Sequence, residues 1–430
     1  MEPGLIIVIG TTPDYVKKIG IAEKEKSLLF VLDHKFESYP DLAESENSHS
    51  LFTNIENYNE TLPGLSKFLS ESDNGDPRFV CFDCEALLLT ARLAEYFNSP
   101  FPSHDSILKA RNKFLSGTIW MNNGIPTPKS NLADGLSDSL AFFEEYQKDI
   151  VLKPVSGSGS ELLFHCSGEE DVFKAVLTLE KQLSKRKDNP LFAQMVNPVS
   201  GDSVDPCRVW IVEEFIDGNE FSCDFFLNGD EITLIRETGK IRADEPFGTV
   251  LAYTVPSRRP DLITNEKIKK TMSAAARSLG FERGYFMADY IVKDDHIFMI
   301  ELTPRPGGDS IPELIKASSG SDILKTYMDI MCGNHSNLKD FTEPSGYYTS
   351  IHFYSDRNGI IDEIDTDSIV KDPRFRYLEI KKKKGDRVSL PPDDYDSRLI
   401  GYGVFFSQTE LPSLSMCNDI KNKIKVSFMD

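Results

Sequence analysis

The chain has 430 residues, 40% of them hydrophobic, with 48 Lys and Arg against 68 Asp and Glu and a net charge of −20. That length accommodates two or three domains, each with its own core, so neither disulfides nor metals are needed to hold the fold. So large an acidic excess repels nucleic acid and anionic membranes at long range and argues against polyanion binding. The seven cysteines are odd in number and scattered, which suits reduced thiols in a cytoplasmic protein. Only Cys81 and Cys84 are closely spaced, and with no second pair they read as packing at the end of a strand. The N-terminal apolar run LIIVIG is too short for a signal peptide or a membrane span, so a soluble protein is expected.

In chain order, Leu5 to Gly10 is a β-branched run ending in Gly, the pattern of a strand buried on both faces of a parallel sheet. LLFVLD (Leu28 to Asp33) and RFVCFD (Arg78 to Asp83) repeat it with helices between, which is βαβ alternation. Gly10 is followed by Thr11, Thr12 and Pro13, so the dinucleotide fingerprint is absent. From residue 104 a charged segment, SILKARNKFLSGTIWMNNG, reads as one helix stopped by Gly124 and Pro126. Strands follow as DIVLKPV, RVWIVEEFI, EFSCDFFLN, EITLIRE, YFMADYIV and HIFMIEL, with helices at DVFKAVLTLEKQL and NEKIKKTMSAAARSLG. That order predicts a mixed, partly antiparallel α+β domain. After residue 340, SIHFYSD, RYLEIKKKKGDRV and GYGVFFSQ read as a small β-rich unit. Its acidic stretch RNGIIDEIDTDS and the run Lys381 to Lys384 suggest a solvated hairpin.

Three constellations could carry chemistry. In VLKPVSGSGS a strand delivers Lys153 and then a Gly/Ser loop, Ser156 to Ser160, whose N–H and hydroxyl groups can wrap phosphates; plain linkers have the same composition. In WIVEEFIDGNEF the strand pauses at Asp217 and Gly218, where backbone groups of residues 213–216 could meet a purine and Glu220 a ribose; an acidic hairpin is the other reading. In FMADYIVKDDHIFMIELTPRPGGD two strands flank a turn at Asp294, Asp295 and His296. A three-residue loop sets Asp289 opposite Glu301, whereas a two-residue loop would send them to opposite faces. Facing carboxylates cost ~0.2 to 1 kcal/mol, a penalty that a cation such as Mg²⁺ removes. Arg305 follows between Pro304 and Pro306, with Gly307 and Gly308 behind, a rigid fork suited to an oxyanion.

Together these residues resemble the ATP-grasp superfamily of ADP-forming carboxylate ligases, from about residue 5 to 330, with the likeness expected to extend to the end of the chain. The resemblance implies an α/β and α+β chain: a preATP-grasp α/β domain (1–103), a two-part ATP-grasp fold (104–212 and 213–335) and a small β-rich, lid-like C-terminal domain (336–430). It assigns ATP binding to Lys113, Lys153, the lid loop Ser156, Gly157, Ser158, Gly159 and Ser160, the hinge Glu213, Glu214, Phe215 and Ile216, Glu220 for the ribose, and Leu302. Asp289, Glu301 and Thr303 match the metal positions, Thr303 standing where the family usually has Asn. Arg305, Gly307 and Gly308 match the oxyanion-stabilising turn. RPGGD with IPELIKASSGSD looks like the branch containing bacterial L-amino-acid ligases.

The implied activity joins a small carboxylate, activated as an acyl-phosphate, to an amine, both expected to be amino acids, with ATP and one or two Mg²⁺ ions, Mn²⁺ being an alternative. The rival readings are a carboxylase-type or phosphoribosyl-amine enzyme of purine metabolism and a catalytically silent nucleotide-binding regulator. Tyr253, Thr254 and Arg258 are candidates for the acceptor pocket. No nucleic-acid or membrane partner is expected, and a homodimer is compatible with the sequence. His34, His165, His296 and His352 have no partners at recognisable spacing.

Overall fold

The computed structural model describes residues 4–429 apart from 24–25, 40–41, 43–46, 72–75, 158, 188, 190–191, 193–194, 197–202 and 244. The leading unit is β1 (Leu5–Ile9), α1 (Pro13–Ala22), β2 (Leu28–Asp33), β3 (Ser48–Thr53), α2 (Tyr58–Ser70), β4 (Pro77–Cys81) and α3 (Leu87–Tyr96), with a short 3-10 turn at His34–Phe36. Next come α4 (His104–Arg111), α5 (Lys113–Asn122), β5 (Ser130–Ala133), α6 (Leu136–Tyr146), β6 (Ile150–Pro154), β7 (Phe164–Cys166), α7 (Glu169–Leu183), β8 (Met195–Val196), β9 (Ser203–Val204) and β10 (Trp210–Glu214). Then follow β11 (Asn219–Asn228), β12 (Glu231–Arg242), β13 (Val250–Val255), α8 (Asn265–Ser278), β14 (Arg283–Lys293), β15 (His296–Thr303), α9 (Ile311–Ser319) and α10 (Ile323–Met331). The chain closes with β16 (Tyr347–Tyr354), β17 (Gly359–Asp365), α11 (Asp367–Val370), β18 (Phe375–Ile380), β19 (Arg387–Val388), β20 (Leu399–Ser407), α12 (Leu414–Lys421) and β21 (Lys425–Phe428).

The first sheet is parallel in the order β3-β2-β1-β4, and β1 is buried along its whole length, as its unbroken apolar run requires. A second, antiparallel sheet runs β5-β10-β6-β7 and packs on α6 and α7. The third is antiparallel and eight-stranded, β15-β14-β11-β12-β13-β16-β20-β18. Ile7 and Phe79 of the leading unit share one core with Phe225, Phe286 and Leu302 of this large sheet, so the two units pack as one body.

Three expectations change. The helix expected from residue 104 is two helices, broken at Asn112, whose side chain accepts from Leu115 N at 2.9 Å and caps α5. A division between residues 212 and 213 falls inside β10, which belongs wholly to the second sheet. The segment after residue 335 is not separate, because β13 pairs with β16 and the large sheet continues through β20 to β18. Among the described residues, no helix is long and apolar enough to cross a membrane.

Candidate active site

A cavity of about 340 Å³ lies between the second sheet and the large sheet. Capping by Asn112 places Lys113 at the first position of α5, where its Nζ donates to Gly157 O at 2.9 Å and lies 3.7 Å from Glu301 Oε1. Lys153 comes from β6, and its Nζ is 2.6 Å from Glu213 Oε1 on β10. Val151 faces Glu213 and Lys153 faces Ile211, so this ion pair is a diagonal cross-strand contact. Ser156, Gly157, Gly159 and Ser160 line the cavity, and Gly157 (φ +132°) and Gly159 (φ +67°) take backbone conformations that side chains disfavour. Ser158 lies outside the described residues.

Between β10 and β11 the chain leaves one sheet and enters the other, carrying Phe215 and Ile216 along the cavity wall. Phe215 N donates to Asp149 O at 3.2 Å. Its ring packs against His165 (centroids 4.3 Å apart) and Phe247 (6.1 Å), forming an aromatic wall. His165 is fixed by Asp149 at 2.8 Å. Glu220 lines the cavity too, but it is bonded to Lys240 at 2.6 Å and to Arg242.

Asp289 and Glu301 are directly opposed on β14 and β15, by a route the sequence does not suggest. The turn has two residues, Asp294 and Asp295, with Lys293 facing His296. Near the turn this register pairs Tyr290 with Met299; Ile300 then bulges, and the extra residue restores Asp289 to Glu301. A two-residue loop without the bulge would have separated the two carboxylates. Burial would raise the Asp289 pKa, but the charge and hydrogen bond of Lys240, 2.8 Å away, and the Ser222 hydroxyl outweigh it, so the net shift is downward. Two hard carboxylates on one face, with no cluster of three or more His, Cys, Asp or Glu among the described residues, fit a hydrated Mg²⁺ that takes its other ligands from phosphate and water. Thr303 is buried outside the cavity lining.

Leu302 does not reach the cavity. It is fully buried on the opposite face of β15, in the core shared with the leading sheet, as strand alternation next to Glu301 requires. Ile291 and Ile300 supply the apolar lining instead.

The turn after β15 holds Arg305 between two anchors: Nε donates to Cys84 Sγ at 3.0 Å, and Nη1 to Pro306 O at 2.7 Å. Burial would lower its pKa, yet Cys84, Asp83 and Glu301 more than compensate and raise it. Cys84 is therefore more than packing, whereas Cys81 is buried, with its pKa pushed up to about 12 by desolvation. Gly307 N donates to Asp224 at 3.0 Å, within a buried network in which Asp224 also binds Arg236 at 2.6 Å and Tyr285 at 2.9 Å. A Cβ on Gly307 would lie 2.2 Å from Arg236 Nη2, so this approach requires glycine. Tyr253 faces Lys240 across β12 and β13 and packs edge-on against His352. Thr254 is buried, and Arg258 is exposed at φ +60°, lining neither this cavity nor its neighbour.

Sequence reasoning missed Lys240, Arg242 and Phe247, all in the cavity wall. The signal was present: Arg236, Thr238, Lys240 and Arg242 alternate along β12 and share one face. The four histidines do have partners: His34 meets Glu60 at 3.1 Å, His165 meets Asp149, His296 meets Asp295 at 2.7 Å, and His352 meets Ser310 at 2.9 Å.

Residues 146–313 match the family model of the ATP-grasp domain. The chain is 23% identical over 317 residues to an uncharacterised protein, y4rH, of Sinorhizobium fredii, covering 73% of this chain and 60% of that one. It is 26% identical over 225 residues to a D-alanine–D-alanine ligase of Acidovorax ebreus, covering 49% and 59%. It thus spans about 60% of the length of these curated relatives. The structure superposes on an L-amino acid ligase from Bacillus licheniformis with a TM-score of 0.80 at 17% identity, covering 100% of both chains.

Proposed function

We propose that this chain, whose residues 146–313 match the ATP-grasp domain model and whose fold superposes on that of an L-amino acid ligase, is an ATP-dependent, ADP-forming ligase joining a small carboxylate to an amine, both from the amino-acid class. The observation that carries this reading is the convergence on one cavity of two lysines, a glycine-bearing loop and a facing pair of carboxylates, drawn from both sheets. A triphosphate needs that combination. The cations offset its charge, the loop encloses it, and Asp289 with Glu301 would hold Mg²⁺, which when bound neutralises charge on the β- and γ-phosphates.

In the mechanism that follows, the aromatic wall of Phe215 and Phe247 packs against the base, and the Ile216 N–H offers it a backbone donor, those of Glu214 and Phe215 being already bonded to Lys129 O and Asp149 O. Lys113 and Lys153 bind phosphate oxygens, exchanging their resting contacts with Gly157 O and Glu213 for the nucleotide. A substrate carboxylate oxygen attacks the γ-phosphorus; the bond to the β-phosphate oxygen breaks, and ADP and an acyl-phosphate form. The amine lone pair then attacks the acyl carbon. Arg305, held by Cys84 outside the cavity lining but within the field of Glu301, would face the developing oxyanion, and phosphate leaves carrying the proton given up by the amine. The Gly307 N–H is already bonded to Asp224, so the turn can offer the Gly308 N–H as its backbone donor. Closure of the glycine-bearing loop excludes water from the acyl-phosphate.

The test is a pairwise screen of amino acids for ADP and phosphate release, with Glu301→Ala alongside and a bicarbonate arm. Amine-dependent ADP release abolished by Glu301→Ala supports the reading. Turnover that needs bicarbonate, or AMP and pyrophosphate as products, contradicts it.

A further inference from the structure

A second cavity, of about 430 Å³, opens where the loop between β12 and β13 meets the C-terminal strands. Arg398 lines it and is only 7% exposed. Its guanidinium donates through Nη2 to Thr249 Oγ1 at 2.7 Å and through Nε to Tyr395 O at 3.3 Å, and it lies over the Tyr354 ring, 4.6 Å from the centroid. Among the described residues no carboxylate comes within ion-pair distance of it, and Asp396 acts only through the longer-range field. The other arginine buried to this degree, Arg236, is paired with Asp224 at 2.6 Å. A guanidinium withdrawn from water without a counter-ion is costly, and burial lowers its pKa. Its planar fork matches a carboxylate.

The rest of the lining completes a zwitterion site. Lys421 adds positive charge, Glu245 and Asp356 supply acceptors for an ammonium group, and Leu251 and Leu414 add apolar wall. We propose that this cavity is a second ligand site, taking a small zwitterion of the amino-acid class, with Arg398 binding its carboxylate and Glu245 or Asp356 its ammonium. The segment from Arg242 to Thr249 links the two cavities: Arg242 and Phe247 line the first, Glu245 and Thr249 the second. An occupant of the second cavity therefore holds the loop that carries part of the first cavity's wall.

Binding here needs no nucleotide, so the test is independent of the ligase reading. Titration calorimetry of the full chain without ATP uses L-alanine, L-leucine and acetate as probes. We expect one amino-acid isotherm that survives Arg305→Met and is weakened at least tenfold by Arg398→Gln, with Arg398→Lys intermediate and acetate weaker than L-leucine. If Arg398→Gln does not melt cooperatively, Leu414→Trp, which fills the cavity from its exposed rim, must cause the same loss. The proposal is overturned if no probe binds the native chain, or if binding survives Arg398→Gln or Leu414→Trp. It is also overturned if binding is lost in Arg305→Met, or if acetate binds as tightly as L-leucine.

Discussion

Replacing Lys240 with methionine isolates the ion network beside the facing carboxylates. The Lys240 side chain is 5% exposed and reaches Glu220 at 2.6 Å and Asp289 at 2.8 Å. Methionine keeps most of the stem but leaves the two acids without the ammonium between them. Breaking a buried pair from one side costs about 3 to 5 kcal/mol. Arg242 stays on Glu220, and the Asp289 side chain is 20% exposed, so the low end applies, about 3 kcal/mol. In a cooperative unit of ordinary size that lowers Tm by roughly 6 to 12 °C. The pH dependence has a definite sign. The Asp289 pKa is depressed in the folded chain, so its contribution is complete above the unfolded carboxylate value and is lost as pH falls. Without Lys240, its charge and hydrogen bond no longer depress the Asp289 pKa, which moves up. The gap between native and Lys240→Met is therefore full at neutral pH and narrows as pH falls through the Asp289 pKa of the variant toward the depressed native one. Thermal unfolding followed by circular dichroism, at neutral pH and in acid, reads both effects. A Lys240→Met chain melting within about 2 °C of the native one at neutral pH would show that the ammonium does not stabilise the two acids.

Three further outcomes follow from the geometry. Gly307→Ala places a methyl 2.2 Å from Arg236 Nη2 and 3.2 Å from Asp224 Oδ1, and should destabilise by about 2 to 3 kcal/mol in urea unfolding; an unchanged midpoint would show that the buried network yields. Asp372 accepts from Arg374 N at 2.9 Å and Nε at 3.0 Å and from Lys423 at 2.7 Å, contacts that hold its pKa well below the usual range. Asp372→Asn should cost about 2 to 4 kcal/mol at neutral pH, with the deficit shrinking below about pH 4; a pH-independent deficit would contradict the assigned cause. Phe247→Ala removes one side of the aromatic wall and should weaken ADP binding roughly tenfold, about 1.4 kcal/mol by calorimetry, whereas unaltered affinity would move the base elsewhere.

Much of the architecture is legible in the sequence because the strands that build it are unbroken apolar runs. β1, β6, β11, β14 and β15 lie where their patterns put them. The failures have local causes. β3, SHSLFT, is largely polar and at a sheet edge, so no apolar run announces it. The break at Asn112 is hidden because Asn is tolerated within a helix, yet here its side chain caps the next one and turns Lys113 into the cavity. The pairing of Asp289 with Glu301 is right, but the expected loop length is wrong, and the bulge at Ile300 compensates. Lys240 and Arg242 lie beyond the strand run EITLIRE, and only the continued alternation of β12 puts them on the face of Arg236. The Arg305 and Cys84 contact joins residues 221 positions apart, a relation no local pattern carries.

The proposed reaction activates a carboxylate by direct phosphoryl transfer. Its most direct test uses an amino-acid substrate identified by the pairwise screen, labelled with ¹⁸O in its carboxylate, and reads the released phosphate by mass spectrometry. An acyl-phosphate route delivers one labelled oxygen to each phosphate formed, with ADP as the nucleotide product. Unlabelled phosphate, or label appearing in AMP, would contradict the account.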